Sequence, residues 1–253
     1  VDSDGREIHL RGPARRIVSL VPSATLILEA LGAQDLVVAR TDHDTAPWTQ
    51  ALPSVGGGLQ PSVESLVAVQ PDLVVRFGGP QDTRTPSSLD GLSIPHLAIR
   101  PDRISDVMST IELLGRATGR EDAAAALVAR LRAGLDSVAR VAARTPPVRV
   151  AYVLGGDPPW VAGPRTYIDE LMTLAGGDNV FDDLGSLYAA VSPEEFLARR
   201  IDLILTPKAG TLDPRLAGVA RVAEIGDLLE LPGPGVADAA RDLLRLLHPE
   251  LGR

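Results

Sequence analysis

Residues 16–32 read RIVSLVPSATLILEALG: a short β-rich run from Arg16 to Val21, then Pro22-Ser23, then an apolar-periodic stretch from Ala24 to Leu31 closed by Gly32. That order predicts a strand, a helix capped by Ser23 and a glycine stop. Working outward, Val1 to Leu10 alternates about Asp4-Gly5, a dipeptide suited to the positive φ angles of a tight turn, so a small β-hairpin is expected in front. Downstream, Asp35–Arg40 (DLVVAR), Asp72–Phe77 (DLVVRF) and Pro95–Ile99 read as strands. A polar, proline-containing loop occupies Thr41 to Pro61, and Ser62 to Val69 is helical in period. Strands of continuous apolar character, separated by helical stretches, indicate a mainly parallel sheet covered on both faces.

From about Arg103 to Arg144 the apolar period lengthens to that of a helix, with a possible break at Gly119-Arg120 and a stop at Thr145-Pro146-Pro147. Strand and helix alternation resumes with Arg149–Leu154, Tyr167–Leu174, Pro193–Arg199, Asp202–Thr206, Arg221–Ile225 and Val236–Leu247. The two sides of the long helix echo each other. Pro61-Ser62-Val63-Glu64-Ser65-Leu66-Val67-Ala68 followed by Pro71-Asp72-Leu73-Val74-Val75 returns as Ser192-Pro193-Glu194-Glu195-Phe196-Leu197-Ala198 followed by Asp202-Leu203-Ile204-Leu205. Arg16-Ile17-Val18, with its helix ending at Gly32, returns as Arg149-Val150-Ala151, with a helix ending at Gly176-Gly177. The expected fold is therefore α/β: an N-terminal lobe over residues 1–102, a linking helix region over 103–145 and a C-terminal lobe over 146–253, with mainly parallel sheets.

Composition narrows the function. With 25 basic against 33 acidic residues the chain carries a formal charge of −8, the wrong sign for a surface that displaces counterions from nucleic acid. No apolar run is long enough to span a bilayer. The absence of cysteine excludes a thiolate metal site, a cysteine nucleophile and a disulfide framework. The chain starts at Val1 and shows no basic-then-apolar export segment.

In open parallel sheets, ligands lie beyond the carboxyl ends of the strands. Only eight residues carry a phenyl, phenol or indole ring, and four of them stand at such positions: Trp48 in the loop after the second strand, Phe77 just before Gly78-Gly79, Trp160 after Gly155-Gly156-Asp157-Pro158-Pro159, and Tyr188 in the loop from Asp182 to Val191. Such placement suits a platform for a large, flat or partly apolar ligand; packing of Phe77 and Trp160 at a lobe interface is the other reading. Gly56-Gly57-Gly58 reads as a turn, since it lacks the residues of a phosphate loop. His43 stands between Asp42 and Asp44, either as a metal ligand or base or as a solvated loop residue. No nucleophile elbow surrounds Ser23, and His9, His96 and His248 show no metal-cage spacing, so binding without turnover is expected. Glu64 and Glu194 occupy matching places near the starts of matching helices. There they suit the helix dipole, and as a pair they suit docking to a two-subunit partner with basic pockets.

Arg16-Ile-Val-Ser-Leu-Val-Pro-Ser-Ala-Thr to Gly32, Leu52-Pro-Ser-Val-Gly-Gly and Val63-Glu-Ser-Leu to Pro71-Asp-Leu-Val-Val resemble the substrate-binding proteins of vitamin B12-type ABC importers. The likeness runs on through Pro158-Pro159-Trp160 to Gly163, Leu174-Ala-Gly-Gly-Asp-Asn-Val-Phe, and Val191-Ser-Pro-Glu to Asp202-Leu-Ile-Leu, and so spans nearly the whole chain. It implies two lobes bridged by a rigid helix, a ligand cleft between them, and one glutamate per lobe, Glu64 and Glu194, gripping arginines of the membrane permease. The cleft aromatics of the family map onto Phe77, Trp160 and Tyr188. The segment from His43 to Trp48 forms another wall, and Gly57, Gly58, Gly78 and Asp227 count among the ligand-binding positions. Family members are exported, often lipid-anchored, which implies a periplasmic or cell-surface location.

This sequence departs from the family where the cleft is expected. Leu26 replaces a glutamate of the first helix, and His43 replaces a tyrosine. An aromatic near Gly58 is missing, and Leu231, after Asp227, stands where an arginine is often found. Scarce rings rather than clustered arginines favour a nearly neutral, amide-rich corrinoid such as cobalamin. The alternative is haem, for which His43 is the one candidate axial ligand, or a ferric siderophore. A two-lobed α/β enzyme ranks lower. The expected protein is thus a monomeric, non-enzymatic solute receptor with no resident cofactor, whose partners are a corrinoid and an ABC importer permease.

Overall fold

Proline at the first helical position, not a serine cap, starts the helix that follows the opening strand. In the computed structural model, which describes residues 1–80, 82–208, 212–216 and 218–252 (the side chains of residues 227, 228 and 252 excepted), strand β1 (Ile17–Ser19) leads into helix α1 (Pro22–Ala30). Val21 is the N-cap and its side chain makes no capping bond; Ser23 lies buried inside the first turn, correcting the expected Ser23 cap. Pro22 brings a φ already set for helix and gives up an N–H that would have had no partner. The glycine stop stands as expected: Gly32 takes φ +68° and donates to the Glu29 carbonyl at 2.8 Å.

The chain divides into two compact units, Val1–Pro101 with Ser105–Ala129, and Asp102–Ile104 with Arg130–Arg253. In the first unit β1 is joined by β2 (Val37–Ala39), β3 (Leu73–Phe77) and β4 (His96–Ile99) in a wholly parallel sheet of order β2-β1-β3-β4. Helices α2 (Val63–Ala68) and α3 (Arg84–Gly91) connect its strands, and Leu20, Leu66, Val74 and Leu89 meet in one buried cluster. Helix α3 has no counterpart in the sequence reading. Its residues RTPSSLDG are polar, and only Thr85 and Leu89, one turn apart, are buried.

The expected hairpin at the N-terminus does not form. The Asp2 carboxylate accepts the amides of Asp4 at 3.0 Å, Arg6 at 2.9 Å and Ala98 at 2.9 Å, while Ser3 donates to the Ala98 carbonyl at 3.0 Å. A carboxylate that satisfies local amides competes with strand pairing, so the segment becomes a turn, with Gly5 at φ +76°, fastened beside β4.

The long helical region is two helices, α4 (Ile104–Thr118) and α5 (Glu121–Ala142), and the break falls at Gly119, φ +68°. A Cβ at Gly115 would stand 2.5 Å from the Ala124 Cβ, so only glycine lets the two helices cross this closely.

In the second unit, β5 (Val148–Gly155), β6 (Trp160–Ala162), β8 (Tyr188–Ala190), β9 (Leu203–Thr206) and β10 (Arg221–Glu224) form the order β10-β9-β5-β6-β8, and β7 (Gly177–Asn179) also pairs with β5. The β5–β6 and β6–β8 pairs are antiparallel and the others parallel. Tyr188, expected on a loop, is therefore on an edge strand. Helices α6 (Tyr167–Leu174), α7 (Pro193–Ala198) and α8 (Val236–Leu247) complete the unit.

The internal echo in the sequence has an atomic counterpart. Ile17 of β1 registers with Leu73 of β3, and Val150 of β5 with Leu203 of β9. In the first unit Asp72 accepts the Arg16 amide at 2.9 Å, and the Arg16 Nε donates to the Gln70 carbonyl at 3.0 Å. In the second, Asp202 accepts the Arg149 amide at 3.1 Å and the Arg149 Nε donates to the Arg200 carbonyl at 2.7 Å. Each unit thus joins its two central strands at their entry points with the same arginine and aspartate.

Candidate functional site

The eight rings fall into two sets. Tyr152, Tyr167, Phe181 and Phe196 are buried, with Phe181 and Phe196 edge to face at 5.0 Å in the core of the second unit. Trp48, Phe77, Trp160 and Tyr188, which the sequence places at strand exits, are the ones that reach solvent.

In the first unit Phe77 ends β3. A Cβ at Gly58 would stand 2.3 Å from the Leu20 carbonyl oxygen and 3.2 Å from the Phe77 Cε2, so the glycine turn is pressed against both the end of β1 and this ring. Gly57 has open space around its missing side chain. Gly78 instead faces the N-terminal turn, where a Cβ would meet the Asp4 carboxylate at 2.9 Å.

Phe77 is positioned by a group that the sequence reading passed over. Arg76, 1 % exposed, donates from NH1 to the Phe77 carbonyl at 2.8 Å, from NH2 to Asp4 at 2.7 Å and from Nε to His96 Nδ1 at 2.9 Å. The other ring nitrogen, Nε2, lies 3.0 Å from Asp90 Oδ1 and 2.8 Å from Arg6 NH1, while Arg6 NH2 donates to the same Asp90 oxygen at 2.8 Å. Burial, assisted by the cations of Arg6 and Arg76, holds the His96 pKa below its ordinary value against the opposing pull of Asp90. Burial would raise Asp4, but the Gly79 amide and the Arg76 guanidinium bring it below the usual carboxylate range. The clue was available: an arginine within the apolar run LVVRF has to find partners.

His43 is exposed, and its flanking carboxylates are committed elsewhere. Asp42 accepts from Ser54 Oγ at 2.6 Å, and the buried Asp44 accepts from the Thr41 amide at 2.8 Å and hydroxyl at 2.7 Å. The aspartates shape the loop and do not form a metal cage around His43. Among the described residues no group of three metal-ligating side chains comes together. Trp48 lies on a 3-10 turn (Pro47–Ala51), half-buried, its indole nitrogen enclosed and without a hydrogen-bond partner among the described residues.

In the second unit β6 and β8 form a ribbon in which Trp160 registers with Ala190 and Ala162 with Tyr188. Alternation along the pleat sends Val161 and Ala189 into the core and leaves Trp160 and Tyr188, 49 % and 39 % exposed, diagonal to one another on the opposite face. Burial, with added repulsion from Asp102 and Glu230, pushes the Tyr188 hydroxyl up to about 12. The buried Tyr152 hydroxyl meets Glu230 at 3.2 Å. Arg215 links Asp157, at 2.6 Å, to Asp213, at 2.6 Å, and so ties down the turn that precedes Trp160. The side chain of Asp227 lies outside the described residues.

Glu64 and Glu194 both sit on the first turns of short exposed helices. Ser62 caps α2 by accepting the Ser65 amide at 3.1 Å and donates to Glu64 at 3.2 Å. Glu194 lies below the usual carboxylate range because its own backbone amide and the Ser192 hydroxyl both donate to it.

Comparison with known proteins places this architecture. A cobalamin-binding protein of Halobacterium salinarum is 33 % identical over 216 residues, 81 % of this chain and 57 % of the relative, so the chain spans less than two thirds of that protein. A periplasmic haem-binding protein from Roseiflexus sp. RS-1 superposes with a TM-score of 0.82 at 27 % identity, covering 93 % of this chain and 98 % of that one. The periplasmic vitamin B12 binding protein of Vibrio cholerae superposes with a TM-score of 0.79 at 24 % identity, covering 95 % and 99 %, a likeness of fold. The family model described as periplasmic binding protein matches residues 17–221, and the chain belongs to that family.

Proposed function

We propose that this protein is an extracytoplasmic receptor that captures a cobalamin-like corrinoid and hands it to an ABC importer without altering it. The observation that carries the reading is the segregation of the rings: four of eight are withheld from the cores, Trp48 on the turn that follows β2, Phe77 at the end of β3, and Trp160 and Tyr188 on the outer face of the β6–β8 ribbon. A large, amide-rich macrocycle gains from apolar faces and backbone partners more than from ionic ones. The name of the Halobacterium relative agrees. Glu64 and Glu194, both exposed, serve on this reading as contacts to basic residues of the permease.

A second reading, haem, draws support from the exposed imidazole of His43 and from the Roseiflexus neighbour. Titration separates the two. Cyanocobalamin should quench tryptophan emission and release heat at micromolar concentration, while haemin and a ferric hydroxamate should not. A Soret shift with haemin, and no response to cyanocobalamin, would refute the corrinoid assignment.

A further inference from the structure

Helices α2 and α7 are six residues long and present the same pattern in the two units. Each helix has a serine at its N-cap and a glutamate two residues on, Ser62 with Glu64 and Ser192 with Glu194, and Ser62 donates to Glu64. Two residues further, Leu66 or Phe196 is fully buried and pins the helix to its core. One position on, an aliphatic side chain is left in solvent, Val67 at 46 % and Leu197 at 70 % exposure. With 100° between successive helical residues, the anchor points away from the glutamate, and the aliphatic residue, three positions after it, is its neighbour on the outer face. A single exposed leucine needs no explanation. Its recurrence at the same offset from the matching exposed glutamate of the second unit, as valine in one helix and leucine in the other, does.

We infer that Val67 and Leu197 are shelves for the methylene stems of the partner arginines whose guanidinium groups meet Glu64 and Glu194. This rests on the docking role proposed for those glutamates and adds an apolar half to that contact. An arginine joins an apolar stem of three methylenes to a planar, charged head. A carboxylate with an aliphatic surface about 5–6 Å away, the spacing of side chains three positions apart on a helix, matches both parts at once. A lysine would present its charge as a compact, strongly hydrated point and gain less from the shelf. On this inference each of the permease arginines that the family resemblance implies lies flat across a short helix.

The test is binding to the permease–ATPase complex in nanodiscs, followed by biolayer interferometry at several salt concentrations. Because Val67 and Leu197 are exposed, V67S/L197S should fold and bind corrinoid as the parent does. It should bind the permease about tenfold more weakly, the loss expected from uncovering part of two aliphatic contacts, with the salt dependence unchanged. V67I/L197M should restore affinity. E64Q/E194Q should weaken binding and flatten the salt dependence. If E64Q/E194Q is impaired but V67S/L197S binds like the parent, the shelves are refuted and the glutamate contacts stand. If E64Q/E194Q also binds like the parent, the docking reading itself falls. A shift from dimer to monomer in sedimentation on L197S would assign the patch to a second copy and overturn the inference.

Discussion

Replacing Trp160 by alanine tests the ring platform directly. An indole side chain buries up to about 250 Å² when fully enclosed, and Trp160 is 49 % exposed in the free protein, so roughly 120 Å² remains for a ligand to cover. At about 25 cal/mol per Å² that is about 3 kcal/mol for complete coverage. Coverage on one ring face brings it to about 1.5–2 kcal/mol, or a rise in Kd of roughly 10- to 30-fold. Loss of the exposed half alone should leave the fold intact, with a stability change on the order of 1 kcal/mol from the weakened edge ribbon. Isothermal titration with cyanocobalamin, paired with a urea melt of the same sample, separates the two effects. A Kd within threefold of the parent in a protein that melts normally would show that the ring is not part of the platform, and the reasoning from exposed rings would fail with it.

Three further outcomes follow from the geometry. Gly58→Ala drives a methyl group toward the Leu20 carbonyl at 2.3 Å and the Phe77 ring at 3.2 Å. It should cost about 1–3 kcal/mol in a thermal melt and weaken ligand binding, whereas Gly57→Ala, with open space at its Cβ, should alter neither by as much. His96 is held neutral between Arg6, Arg76 and Asp90, with its pKa below the ordinary 6.5. The unfolded chain therefore binds the extra proton first, and stability should be complete above pH 6.5 and fall as the pH drops below it, by at most about 1.4 kcal/mol per pH unit; His96→Asn should remove that slope between pH 6.5 and 5 in urea midpoints, and an unchanged slope would discard the assignment. Phe196→Ala empties the edge-to-face partner of Phe181 at 5.0 Å and should destabilise by about 3–5 kcal/mol, which circular dichroism melts would read as a large fall in Tm.

Much of the fold was legible because its strands advertise themselves. β1, β3, β5 and β9 are continuous apolar runs, entered through arginine or aspartate, that no helix period could explain. The β6–β8 ribbon was not legible. Its strands are three residues each, one of them Tyr-Ala-Ala, and their pairing joins segments far apart in sequence, so neither propensity nor local turn chemistry signals it. For the same reason Tyr188 was assigned to a loop although its exposure was anticipated. β7 reads Gly-Asp-Asn and exists only because β5 offers it a partner. The N-terminal hairpin failed in the opposite sense: Asp4-Gly5 does turn, but Asp2 gathers three amides that a second strand would have needed. In the candidate site, ring placement could be read from spacing alone. The support beneath Phe77 could not, because Arg76, Asp4 and His96 come from three separate segments that only the folded chain assembles.

The duplicated and unduplicated parts of the chain divide the labour of the proposed receptor. Strand entry is built identically in both units, because two parallel strands starting side by side leave amides that an aspartate can collect and carbonyls that an arginine can reach; Arg16 with Asp72 and Arg149 with Asp202 are the same solution twice. Glu64 and Glu194 each stand eight residues before that aspartate, so the docking surface proposed for them is carried along with the framework. The ring-bearing segments are where the units differ. The first unit uses a long loop after β2 with Trp48, a glycine turn and the end of β3, and the second uses an antiparallel ribbon that the first lacks. Determinants of ligand choice should accordingly be sought in residues 41–58, 77–79, 155–163 and 184–190, and substitutions confined to the repeated framework should change stability or delivery before they change which molecule is bound.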